Sequence, residues 1–275
     1  MNIKNRIKGV IFDLIPMWMI KGSLPRKMSF YGHIISDENL IMRHKYRYPS
    51  FKEMDEFIDL FRKIGYEFVS YENYIKEDGK KKILLTFDDG WKEVHTRLHP
   101  YMMKKKVPYM IFILGYPFHD PYFMIDVFEK FKEQRKAYFL DTQEIRKLKT
   151  DGVSIGFHTI NHFNINNTIT PDDQKFLKEI IIEDQYRDMF SDPLAFAYPF
   201  SSPKEYARYD DVLRKRGFKN IFDTRWWHED SGNHFFRLPM DIDNKGGIMC
   251  RNPILYNVKK VLVKKYFKSY KGAWE

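Results

Sequence analysis

Short apolar runs alternate along most of the chain with longer charged stretches whose apolar positions recur at helical spacing. "MSFYGHII", "KKILLTF", "YMIFIL", "VSIGFHT", "PLAFAYPF" and "FKNIFDT" have the length and β-branched or aromatic content of buried strands. Between them, "SFKEMDEFIDLFRKIG" reads as a helix with Ser50 as N-cap, Glu53 three residues on and Gly65 as terminator. Helices are also expected in "WKEVHTRLHPYMMKKK", bent or divided at Pro100, in "YFMIDVFEKFKEQRK" and in "DTQEIRKLKTDG". A long helix over "TPDDQKFLKEIIIEDQYRDMF" and another in "SPKEYARYDDVLRKRG" complete the series.

Strand and helix alternate at least five times, which predicts an α/β fold with parallel strands. An open sheet and a barrel both fit this pattern. Both place functional loops at the carboxyl ends of the strands. The unusual polar residues fall at those ends: Asp88 and Asp89 after one strand, His158 after another, and "YPFSS" after a third.

Two adjacent carboxylates at the end of a buried strand repel each other, and burying either unpaired is costly. A bound cation is the simplest compensation. "GFHTINHFN" offers partners, since His158 and His162 in an H-x-x-x-H pair at a strand exit can turn both imidazoles toward one point. Two His and one Asp form a three-ligand site with a position left for water. His95 and His99 repeat the spacing on a helix but have no carboxylate or strand end beside them. A solvated helical face, or one His packed inward, is expected there. In "AFAYPFSS", Pro199 forces Tyr198 into an extended conformation, and the Phe200 amide can point at developing oxyanion charge.

Composition narrows these options. Cys250 is the only cysteine among 275 residues, so a metal site must draw on His, Asp or Glu. The formal net charge is +10, but the basic runs, such as "EDGKKK", are short, and no zinc-finger, RRM-like or basic-zipper pattern accompanies them. A nucleic-acid partner is not expected. Near the N-terminus, Val10 to Ile20 is apolar but interrupted by Asp13 and Pro16. It falls short of the ~20 apolar residues that span a bilayer. No signal-peptide cleavage pattern follows, so the sequence predicts a cytoplasmic protein, with peripheral contact at the inner membrane face through this lysine-flanked segment as the alternative to packing on the domain's own surface.

Taken together, "TFDDG", the H-x-x-x-H some seventy residues later and the Y-P-F strand end resemble the NodB-homology polysaccharide deacetylases, carbohydrate esterase family 4. The resemblance runs from about Ser29 to Asp241. It implies a distorted (β/α) barrel of about seven parallel strands. Residues 29–255 would form the deacetylase barrel, 1–28 an apolar and basic extension, and 256–275 a basic C-terminal helix or tail. It also implies that Asp89, His158 and His162 bind a divalent metal while Asp88 is the general base. Zinc suits the donor set best, and nickel, cobalt or iron also fit.

The chain departs from the family pattern twice. Where the family has R-P-P-Y-G, this chain has Ala197-Tyr198-Pro199-Phe200-Ser201, without the arginine that orients the base. Arg237, in "FFRLPMD", is the candidate replacement. The late L-x-H strand carrying the general acid is also absent, and "FYGHIISDE" resembles the first strand of a permuted subgroup, making His33 the candidate acid. Tyr198, Pro199 and Phe200 are expected at the substrate. Trp226, or its neighbour Trp227, would wall an acetyl pocket or stack on a sugar, with core packing the alternative. The implied activity is hydrolysis of the N-acetyl group of an amino sugar in a polysaccharide or cell-envelope glycan precursor, releasing acetate. Deacylation or deformylation of a lipid-linked sugar at the membrane face, and a non-catalytic saccharide-binding barrel, are the alternatives.

Overall fold

Residues 3–37, 46–115, 138–224, 232–243 and 248–268 are described by the computed structural model of the chain. In chain order the strands are β1 (Lys27–Gly32), β2 (Tyr46–Arg47), β3 (Glu67–Phe68), β4 (Lys82–Asp89) and β5 (Met110–Ile113). They continue with β6 (Ser154–Phe157), β7 (Ala195–Ala197), β8 (Asn220–Asp223), β9 (His234–Pro239) and β10 (Ile242–Asp243). The spatial order β1-β9-β8-β7-β6-β5-β4 returns to β1, because β1 pairs with both β9 and β4. Every pairing around this ring is parallel, so seven strands close a (β/α) barrel. β3 adds to the β4 edge near its start, while β2 and β10 form a separate antiparallel ribbon.

Closure explains why these strands read as continuous apolar runs rather than as alternating ones: both faces are covered. On β4, Leu84 belongs to the cluster inside the ring with Phe112, Ala195, Ala197, Phe222 and Phe235. Ile83, Leu85 and Phe87 join the larger core beneath the helices. The Phe51–Lys63 helix docks there through Met54, Phe57, Ile58 and Phe61, and it starts at the Ser50–Glu53 capping box that the sequence predicts.

One expected element differs, and another divides beside Pro100 as the sequence predicts. The long helix over 170–190 is instead a short helix, Gln174–Glu179, followed by a 3-10 segment, Asp184–Met189. Ile180 to Ile182 is a β-branched run of lower helix propensity, and the Glu179 carbonyl accepts from Ile160 N–H at 3.0 Å instead of continuing a helix. Over 91–106, a wide π turn, Val94–Leu98, precedes the helix His99–Lys105, so Pro100 lies in the first turn of the second piece, where its missing N–H costs little. The helix expected over 122–136, together with Trp226 and Trp227, lies outside the described residues.

Inside the ring, space is limiting at Gly156 of β6. A Cβ there would lie 2.4 Å from the Phe112 ring and 2.7 Å from the Met110 methyl. Gly156→Ala is therefore expected to lower unfolding free energy by about 1–3 kcal/mol through overpacking. Urea denaturation checks this, and an unchanged midpoint contradicts the packing described.

Candidate active site

Strand alternation would send Asp88 inward and Asp89 outward. Asp89 instead has φ +74°, a left-handed conformation that Asp tolerates better than most residues, and Gly90 follows at +75°. The turn brings both carboxylates to the carboxyl-end mouth of the barrel, where they are 4% and 1% exposed. Thr159, His162 and Phe200 also have positive φ, so four of the five described non-glycine residues with this geometry surround one site. Such backbone persists only where surrounding contacts enforce it.

Those contacts can be named for the histidine turn. His158 N–H continues the ladder to Ile113, and Phe163 N–H donates to Thr159 Oγ1 at 2.9 Å. Glu179 receives the Asn161 backbone N–H and side-chain amide, both at 2.8 Å. The result brings Asp89 Oδ1 within 3.4 Å of His162 Nε2 and 3.7 Å of His158 Nε2.

These three residues are the one group of potential metal ligands found among the described residues. Two ligands of one tetrahedral zinc, each ~2.0–2.1 Å from it, lie about 3.4 Å apart, close to the spacing observed. Asp89 Oδ1 is buried and accepts no hydrogen bond, whereas Oδ2 accepts from Trp91 Nε1 at 3.1 Å. The His158 Nδ1 position lies 2.8 Å from the Ala197 carbonyl, which fixes the proton on Nδ1 and leaves Nε2 as the lone-pair donor. Burial also lowers the His158 pKa, favouring the neutral imidazole a metal needs. The residues fit a divalent cation.

Asp88 is handled differently. Arg237, fully buried on β9, donates to it through Nη1 at 2.6 Å and Nη2 at 3.0 Å, and Nη1 also donates to Thr86 Oγ1 at 2.9 Å. The guanidinium lies over the Tyr31 and Phe112 rings. Burial opposes the Asp88 charge, but Arg237, joined by the nearby His158 and His33, outweighs it and holds the carboxyl below its usual range. Asp89 is shifted the other way, upward, by burial and by the Asp88 charge. The two neighbours thus differ in kind: one paired to an arginine, the other facing two imidazoles.

His33 follows β1 at the mouth, beside the end of β4. Its Nε2 is 3.8 Å from Asp89 Oδ2, and its Nδ1 is 2.6 Å from Asp241 Oδ2, which also accepts the His33 backbone N–H. Burial disfavours the imidazolium, yet the Asp241 hydrogen bond and the nearby carboxylates push the His33 pKa up to about 9. Phe200 is 43% exposed, with its ring edge-on to His162 at 4.7 Å. Pro199 is buried behind it.

Tyr198 is a correction. Its side chain is fully buried and its hydroxyl donates to Asp210 at 2.8 Å, so it cannot face substrate. It lies on the outer side of β7, where strand alternation turns it toward the helix Tyr206–Lys215. His95 and His99 also separate. His99 is held between Tyr109 and Asp151, and His95 faces Glu144. Asp241 and Glu179 received no role from the sequence. Asp241 could have been noticed as an acid just past the carboxyl end of a strand, whereas Glu179 sits in what reads as an ordinary helix.

Residues 75–221, more than half of the chain, match the model of the polysaccharide deacetylase family, and the chain belongs to that family. YxkH of Bacillus subtilis (strain 168), which carries the same family name, is 26% identical over 100 residues. That match covers 36% of this chain and 30% of the YxkH length. Among solved structures, a de-N-acetylase from Aggregatibacter actinomycetemcomitans superposes with a TM-score of 0.58 at 13% identity, covering 77% of this chain and 93% of that one. IcaB from Ammonifex degensii (0.56, 18%) and the Streptococcus pyogenes deacetylase PplD (0.56, 16%) each cover 86% of this chain, and 96% and 97% of their own. At these identities the likeness concerns the fold.

Removing Arg237 would leave Asp88 buried without its partner. Arg237→Met in the metal-free protein is expected to cost about 3–5 kcal/mol near neutral pH, measured by urea unfolding. Asp88 has its pKa depressed in the folded state by Arg237, so the stabilisation exists above the unfolded carboxylate pKa and fades as pH falls. The wild-type advantage should therefore shrink on acidification, and an advantage independent of pH contradicts the pairing.

Proposed function

We propose that the protein hydrolyses the N-acetyl group of an amino sugar, in a polysaccharide or a cell-envelope glycan precursor, and releases acetate. The observation that carries this reading is the division of labour between Asp88, paired to Arg237, and Asp89, grouped with His158 and His162, with His33 opposite. A divalent cation held by Asp89, His158 and His162, best zinc with nickel, cobalt or iron as alternatives, would polarise the acetyl carbonyl and acidify a water. Asp88, kept ionised by Arg237, takes a proton from the attacking water. The Phe200 backbone N–H donates to the oxygen that becomes negative as the carbonyl carbon turns tetrahedral. His33, held as the imidazolium by Asp241, gives its proton to the leaving amine. The C–N bond breaks, and acetate and the free amino sugar separate. The exposed Phe200 ring offers a face for the sugar.

An arginine missing from its usual place motivates the non-catalytic alternative, and the Arg237–Asp88 pair removes that motive. That pairing supports the catalytic reading over the non-catalytic one.

Acetate release from N-acetylglucosamine oligomers tests it. Asp88→Asn should keep the metal and lose about 10²–10⁴-fold in turnover, as for removal of a general base, while Asp89→Ala should lose the metal itself. Turnover that survives Asp88→Asn sinks the assignment.

A pH profile tests the acid. His33 must be protonated to act, so activity should fall as pH rises through its pKa. Asp241→Asn removes an anionic acceptor that favours the imidazolium, so this basic limb should move to lower pH. A limb that stays in place, or moves upward, argues against His33 as the proton donor.

A further inference from the structure

The helix Ile3–Leu14 packs the opposite way round from a usual surface helix, whose apolar stripe faces the core. Its body-facing side is formed by Gly9, Phe12 and Asp13. Gly9 abuts the Met249 backbone, and the Phe12 ring meets Tyr256 edge-on at 5.3 Å. Asp13 accepts from Arg251 N–H through Oδ2 and from Lys259 Nζ through its carbonyl. The other side leaves Val10, Ile11 and Leu14 exposed by 53, 53 and 75%. Trp18 and Met19, on the next short helix, Met17–Ile20, are exposed by 70 and 61%. Five large apolar side chains within ten residues are thus turned outward together. The barrel's mouth residues lie on other elements and play no part in this face.

Charge is concentrated in the two terminal segments of the sequence. Before Ser29 the chain has six Lys and Arg against one Asp, and from Pro253 onward six Lys against one Glu. Those two segments together hold a net +10, equal to the formal charge of the whole chain, so the sequence between them is balanced. Their described helices, Ile3–Leu14 and Pro253–Lys268, are neighbours in space, since Tyr256 and Lys259 of the second hold the first.

We propose that this terminal helix pair is a docking surface for an anionic lipid bilayer, with Ile11, Leu14 and Trp18 entering the headgroup boundary and the surrounding Lys and Arg meeting acidic lipids. The chemistry favours this occupant. A second copy of the chain would bring two strongly positive faces together, at a cost in like-charge repulsion. An anionic bilayer satisfies the apolar ridge and the charge at once, and an exposed tryptophan beside basic residues suits the membrane interface. No helix among the described residues is long and apolar enough to cross a membrane, so contact would be peripheral. This inference goes beyond the deacetylase reading and does not depend on it.

Vesicle co-sedimentation of the full chain tests it, with phosphatidylcholine vesicles containing roughly 30% phosphatidylglycerol and with phosphatidylcholine alone. The wild type should pellet with the anionic vesicles at low salt and be released at high salt. The triple substitution Ile11→Glu, Leu14→Glu, Trp18→Glu should weaken that binding by about tenfold or more while leaving circular dichroism and metal content unchanged. The proposal is overturned if the wild type stays in solution with anionic vesicles, or if the triple variant binds them as well as the wild type does. A wild-type dimer that the triple variant converts to monomer, without any vesicle binding, would assign the face to self-association and overturn it equally.

Discussion

Two carboxylates on consecutive residues, both buried, set the constraint around which this site is built. They cannot share one environment, because each raises the cost of ionising the other. The protein separates them chemically while holding them side by side. Asp88 receives a two-pronged guanidinium from β9, one strand away across β1, and the left-handed backbone at Asp89 swings its carboxylate toward two imidazoles. Everything else at the mouth follows from that separation. The strand carrying Arg237 must lie within a guanidinium's reach of β4, the histidine turn must be clamped, and His33 must be held close enough to work with the pair.

The barrel supplies the rigidity this requires. Its interior is filled by aromatic rings opposed by alanine and glycine, so the guanidinium of Arg237 is enclosed between Tyr31 and Phe112 and has few alternative positions. β1 closes the ring between β4 and β9, and by doing so it delivers His33 and Asp88 to the same rim and lays Arg237 beside both. At the rim, regular strand geometry gives way to left-handed residues that a free chain would rarely adopt. The strain is local, and it is located where side chains must leave the alternating pattern of a strand to converge.

Much of this was legible in the sequence, because the chemistry sits at strand ends and those ends are marked by abrupt polar residues after apolar runs. Asp88, Asp89, His158 and His162 could be singled out from spacing and position alone, and the family resemblance gave them roles. Arg237 and His33 were reachable only as candidates: their partners are 149 and 208 residues away, and no local pattern records such a pairing. Asp241 and Glu179 were missed for the same reason, being ordinary acids until the chain closes. Tyr198 shares the Y-P-F motif of a substrate-facing strand end, but strand alternation turns its own side chain away from the mouth toward Asp210. Over 170–190 the apolar spacing is helical, but the β-branched run and the neighbouring turn's hydrogen bond to the Glu179 carbonyl end the helix at Glu179.

The most direct test of the central claim is anomalous diffraction at the zinc edge from crystals of the protein grown with zinc. The account predicts one strong peak within bonding distance of Asp89, His158 Nε2 and His162 Nε2, with Asp88 still paired to Arg237 and not coordinated. A peak bridging Asp88 and Asp89, or zinc bound elsewhere with these three side chains unliganded, would contradict it.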